Sequence, residues 1–299
     1  MTASPGSAVG NHSLSPRERT FDDEISCVSC LPVDPAKPYT PQVVVGFWGS
    51  NRVQILSIID SSNPFKHICS SVPYSSVPRS ALLHNFGTSH DKHQPDYRPH
   101  LIVGLADGTV VSQAYNASEY KLQPPNVSVL GGAAIHLTSY EVDGRWCVFA
   151  CGSLGEVYYW NNMRLQRSPI SLKVRMRSRH FVTASDESQN ATWASTFRPR
   201  RGTPCLLLCS PTQITFGRIT HTNQVSIRSV SLPPPMVSTL YATYASSQIP
   251  TGRDVPKTIV HLKTAQAFAV GYVRRYGIRS TEQSFGVLRL LDQSSFECS

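Results

Sequence analysis

The chain of 299 residues contains no uninterrupted apolar run near the roughly 20 residues that a membrane-spanning helix needs. Its first twenty residues, MTASPGSAVGNHSLSPRERT, are polar and lack an apolar stretch of the kind that marks a secretory leader. An intracellular chain with reduced thiols is therefore expected, and the sequons at Asn11, Asn116, Asn126 and Asn190 read as chance matches. No segment carries a 3.6-residue amphipathic stripe, so long helices are not expected. Catalytic signatures are missing as well: there is no G-x-S-x-G, no phosphate loop, no H-E-x-x-H and no dinucleotide fingerprint. An enzyme is not expected, and no catalytic residue, metal site or cofactor is assigned. Cys27 and Cys30 form a C-x-x-C with no second pair to complete a zinc site. Cys147/Cys151 and Cys205/Cys209 are four apart inside apolar runs, a spacing that leaves them about 13 Å apart on a strand. These four read as small buried hydrophobes.

What the chain does have is a polar Ser/Pro-rich start over residues 1–20, read as a disordered tail, followed by short β-rich runs separated by turn clusters. Strands are expected at 24–30, 42–48, 52–59, 79–86, 100–105, 109–115, 133–140, 146–151, 155–160, 204–209, 213–219, 224–231, 236–245, 266–273 and 284–291. One pattern recurs: VVVGFWGSNRVQILSI (43–58), LIVGLADGTVVSQAY (101–115), CVFACGSLGEVYYW (147–160), CLLLCSPTQITFGRI (205–219) and AFAVGYVRR (267–275). In each, an apolar run reaches a small residue, at Gly46, Gly104, Cys151, Cys209 and Gly271, about 47 to 62 residues apart. A polar turn and, in the first four copies, a second β-rich run follow. A continuous apolar run suits a strand buried on both faces, Asp107–Gly108 is a strong hairpin signal, and each interval leaves room for two more strands. The pattern predicts an all-β chain of four-stranded antiparallel β-propeller blades, part of a seven-bladed WD40-like propeller. Residues 21–245 would hold about four blades, and 246–299 a linker with the first strands of a following propeller.

Several segments, in order, resemble one family. They are CVSCLPVDPAKPYTPQVVVGFWGSNRVQILSI (27–58), VPRSALLHNF (77–86), HLIVGLADGTVVS (100–112), VFACGSLGEVYYWNNMRLQRSPISLK (148–173), ITFGRITHTNQVSIRSVSLPPPMVSTLY (214–241) and LRLLDQSSFECS (288–299). The chain resembles the damaged-DNA-binding protein 1 / cleavage and polyadenylation specificity factor A subunit family over nearly all of residues 24–299. The resemblance is to the second half of the middle propeller and the start of the third, which implies a fragment of a longer scaffold. It implies a non-catalytic adaptor of a cullin-type ubiquitin ligase acting in DNA repair in the nucleus. The implied partners are a cullin scaffold, substrate-receptor proteins and damaged DNA or RNA, bound directly or through partners, without a membrane. The alternative it carries is a scaffold subunit of mRNA cleavage, polyadenylation or splicing machinery. The chain departs from the family in the long stretches at 87–99 and 185–203 and in Thr220, where the family has an aspartate.

Trp48 follows the first apolar run. By the resemblance it corresponds to a tryptophan on the cullin-docking surface, an exposed hot spot; packing between blades is the other reading. The formal net charge of +9 favours anionic partners. In the run LKVRMRSRHF, Lys173, Arg175, Arg177 and Arg179 would share one face of a strand, with Arg198, Arg200 and Arg201 following in a loop. Such a face would bind phosphates, or else be a solvated blade edge. His90, His93 and His100, with Asp91 and Asp96, read as a polar loop insertion rather than a metal site, and Asp22, Asp23 and Glu24 as a solvated approach to the first strand.

Overall fold

The computed structural model describes residues 18–59, 63, 65–142, 144–170, 193–197, 205–209, 214–221, 224–228, 253–262, 265–276 and 283–292. Every regular element among them is a β-strand. Four strands, β1 (Ile25–Ser29), β2 (Gln42–Phe47), β3 (Val53–Ser57) and β4 (Lys66–Ser70), form an antiparallel sheet in chain order. The next sheet runs β5 (Pro78–Asn85), β6 (Pro99–Leu105) and β7 (Thr109–Asn116), then divides its outer position between β8 (Lys121–Leu122) and β9 (Asn126–Val129), both paired to β7. The third holds β10 (His136–Val142), β11 (Arg145–Cys151), β12 (Gly155–Asn161) and β13 (Arg164–Ile170). The fourth holds β14 (Trp193–Phe197), β15 (Cys205–Cys209), β16 (Ile214–His221) and β17 (Gln224–Arg228). Last comes a three-stranded sheet of β18 (Arg253–Leu262), β19 (Ala267–Tyr276) and β20 (Gln283–Asp292), in which β18 lies against β14 and β15.

Alternating side chains decide how the sheets stack, because successive residues of a strand point to opposite faces. In β5, Ala81 and Leu83 join Val44, Val53 and Ile55 of the first sheet in one cluster. Leu82, between them in the chain, joins Leu137, Val148, Ala150 and Tyr158 of the third sheet in another. In β11, Val148 and Ala150 look back to the second sheet, while Cys147, Phe149 and Cys151 cluster with Ala194 and Leu206 of the fourth. A middle sheet is thus buried on both faces, which is why β6 and β11 read as unbroken apolar runs. Each such fully buried aliphatic or phenyl side chain contributes about 1.5–3 kcal/mol. This is the face-to-face stacking of propeller blades.

Three of the recurring small residues, Gly46, Gly104 and Cys151, sit where neighbouring sheets converge. A Cβ on Gly46 would lie 3.0 Å from Pro78 Cβ of the next sheet, and one on Gly104 would lie 2.6 Å from Ile135 Cγ2. Cys151, fully buried, occupies the matching place in the third sheet.

Strand expectations hold for the inner hairpins and for the edge strands β1, β5, β10, β17 and β20, and miss six other strands. β4, β8, β9, β13, β14 and β18 were not expected, and β14 falls inside the stretch 185–203 read as an insertion. His100 is not a loop residue: it lies in β6, buried, with Nδ1 3.1 Å from the Arg98 carbonyl. The strand expected at 236–245 and most of the tail at 1–20 lie outside the described residues.

Candidate partner-binding surface

The turn between β2 and β3 carries Trp48 and is fixed from three sides. The Trp48 amide donates to the Glu24 carbonyl at 2.8 Å, and the Phe47 amide donates to the Arg52 carbonyl at 3.0 Å. The carboxylate of Asp23 then takes the next two amides, Gly49 to Oδ1 and Ser50 to Oδ2, each at 2.8 Å. Asn51 completes the turn at a φ of 51°, and its carbonyl accepts the Tyr74 amide at 2.8 Å. Asp23 is therefore a clamp rather than merely solvated. Hydrogen bonds from the Ser50 side chain and the Gly49 backbone hold its pKa below the ordinary carboxylate value, even though it is exposed. The clamp is present above that ordinary value and lost as the pH falls through the lowered one. Asp23→Ala is expected to leave both amides without acceptors. Their hydrogen exchange should quicken at least about tenfold, while strands β6 and β11 keep their protection.

On this rigid turn the indole of Trp48 is 40% exposed. One face is covered by the Arg79 guanidinium, 5.1 Å from the ring centroid. Arg79 belongs to β5, so the pair bridges the first and second sheets. Trp48 is neither sealed between blades nor free in solvent: it is a stacked aromatic with an open side.

Two equivalent turns continue the same end of the stack. In the turn 106–108 the Ala106 amide donates to Val77 O at 2.9 Å, the Ser75 hydroxyl to Asp107 Oδ2 at 3.1 Å, and the Leu130 amide to Gly108 O at 2.8 Å. In the turn 152–154 the Leu154 amide donates to Leu130 O at 2.9 Å, and the Ala133 amide to Ser153 Oγ at 3.2 Å. Leu154 is left 55% exposed. A row of tied turns with projecting apolar side chains suits docking of a macromolecule.

The other sequence-derived candidates fare differently. Lys173, Arg175, Arg177, Arg179, Arg198, Arg200 and Arg201 lie outside the described residues. Arg164 and Arg167, at the head of the same basic run, lie on β13, and Arg167 Nη1 is 3.7 Å from Glu156 Oε1. His90 Nδ1 is 2.7 Å from Asp34 Oδ2, Asp96 accepts from the Thr88 hydroxyl, and Asp91 Oδ1 accepts the His93 amide at 3.0 Å. Among the described residues no three His, Cys, Asp or Glu side chains converge as metal ligands. Cys27, Cys30, Cys69 and Cys147 are thiols outside any disulfide. Burial raises the Cys27 thiol and pushes Cys69 to about 11 and Cys147 to about 12, so these three stay protonated.

Sequence comparison agrees with the stacked-blade architecture. The chain is 31% identical over 166 residues to DNA damage-binding protein 1 of Oryza sativa subsp. japonica, a match covering 55% of this chain and 14% of that protein. Residues 9–189 match the family described as the RSE1/DDB1/CPSF1 second beta-propeller. With more than half its length matched to that family and its sheets stacked as blades, the chain belongs to the RSE1/DDB1/CPSF1 second beta-propeller family.

Proposed function

We propose that the chain is a non-catalytic scaffold, the adaptor of a cullin-type ubiquitin ligase acting in DNA repair in the nucleus. The observation that supports this most directly is Trp48, half-exposed on a clamped turn in a chain similar to DNA damage-binding protein 1. The mechanism is rigid presentation. Stacked blades fix the turns, so little ordering entropy is lost when a partner docks. A cullin contacts the turn surface, and substrate-receptor proteins dock elsewhere. A scaffold of mRNA cleavage, polyadenylation or splicing machinery is the second reading; the breadth of the matched family and the net charge of +9 favour it.

Calorimetric titration of the purified chain with a cullin tests the first reading. Trp48→Ala is expected to weaken that binding by at least about 2 kcal/mol, roughly thirtyfold. Its own stability should change little, because the ring is already open on one side. Equal affinity of the variant and the parent would remove Trp48 from the interface.

A further inference from the structure

Blades that pack tightly at their inner strands diverge toward their outer ones, and between the second and third sheets this divergence leaves a cleft of about 770 Å³. That is within the roughly 300–1,000 Å³ typical of sites that bury a ligand. Its floor is built from contacts between the two sheets. Ser128 Oγ of β9 donates to Glu156 Oε2 of β12 at 2.9 Å, and the Tyr158 hydroxyl donates to the same oxygen at 2.5 Å. The Trp160 ring packs at 5.7 Å from the His100 ring and lies under the Arg98 guanidinium at 5.6 Å. Register places Arg167 beside Tyr158 and Leu165 beside Trp160, so the third-sheet wall alternates cation and apolar group. Met163, 82% exposed, stands at the mouth beside Arg164.

Three properties of this cleft converge on one kind of occupant. Arg164 and Arg167 line the cleft, and the carboxylate nearest to them, Glu156, 3.7 Å from Arg167, is buried and already hydrogen-bonded. Among the described residues, the outer edges of β9 and β13 at the cleft carry no partner strand, and they expose main-chain donors and acceptors. Val127 and Val129 on β9 are 58% and 69% exposed, an apolar edge where a solvated one would carry charge. We propose that this cleft docks an extended acidic segment of a partner protein, which adds a strand at a blade edge, rests apolar side chains on Met163 and Leu165, and places carboxylates at Arg164 and Arg167. Strand addition draws affinity from main-chain bonds and specificity from alternate side chains. A nucleic-acid strand fits less well: the Trp160 ring, the aromatic face on which a base would stack, is already occupied by Arg98 and His100. The site is separate from the turn bearing Trp48, and the inference stands without the cullin reading.

The test is fluorescence anisotropy on the full chain. The probes are a fluorescein-labelled peptide of alternating glutamate and valine, the same peptide with lysine for glutamate, and labelled oligothymidylate. The acidic peptide is expected to bind saturably, the lysine peptide not to bind, and the oligonucleotide to bind more weakly. Arg164→Gln with Arg167→Gln should weaken the acidic peptide about tenfold. Arg164→Gln alone keeps the partner of Glu156, and Val127→Glu acts at an exposed edge, so either variant carries the test if the double one misfolds. Absence of saturable binding, indifference to both sets of substitutions, or preference for oligothymidylate would overturn the proposal.

Discussion

Lowering the pH from 6.5 to 5 is expected to cost the fold about 2 kcal/mol through His84 alone. This side chain is 2% exposed in β5, between Phe86 and Trp146 at ring distances of 4.7 and 6.3 Å. Its Nε2 is buried without a hydrogen-bond partner. Burial, and then the neighbouring His100, lower its pKa from 6.5 to about 3, while Asp34 opposes them. Above pH 6.5 the imidazole is neutral in both folded and unfolded chains and stability is independent of its titration. Below 6.5 the unfolded chain takes up a proton that the folded chain refuses, so stability falls until the pH reaches the folded value near 3. The window from 6.5 to 5 lies above the ordinary carboxylate range and isolates the histidines. His136, stacked on Trp193 with ring centroids 3.5 Å apart and lowered by burial to about 4, adds a loss of the same sign. Urea unfolding across this window should show the decline. His84→Leu should flatten it by about 2 kcal/mol while leaving the His136 share in place. A wild-type stability unchanged between pH 7 and 5 would mean that these rings are not buried as neutral bases.

The second large effect is at Gly108. Its φ is +84°, and a Cβ there would come within 1.9 Å of the Gly131 carbonyl oxygen. Gly108→Val combines a disfavoured backbone conformation with a main-chain clash, and the clash falls where the second blade hands over to the third. A loss above about 3 kcal/mol is expected. Gly132→Ala, at a position where an added Cβ meets nothing within 4 Å, is the control and should be close to neutral. If both variants melt alike, the close approach of the turn to Gly131 does not hold.

The inner strands were legible because burial on two faces writes a continuous apolar run, as in β6, and because Asp107–Gly108 dictates a hairpin. Several edge strands were not. KHICS of β4 has both faces half-open to solvent, and NVSV of β9 buries only Ser128, so neither carries a hydrophobic signal. β18 contains Pro256 at a register shift, a residue that argues against a strand until the bulge is seen. Trp48 could be singled out only through its resemblance, and the Asp23 clamp on its turn bridges 26 residues with no local motif. The cleft is less legible still. Ser128, Glu156, Trp160 and Arg167 meet only after β9, β12 and β13 have paired and two sheets have stacked, so no spacing in the sequence announces it.

The adaptor reading meets its most direct test in affinity purification of the tagged chain from nuclear extract, with mass spectrometry of what it carries and Trp48→Ala in parallel. A cullin with the parent chain, and its loss with the variant, is the expected result. Polyadenylation or spliceosomal subunits in place of a cullin, retained by the variant, would contradict it.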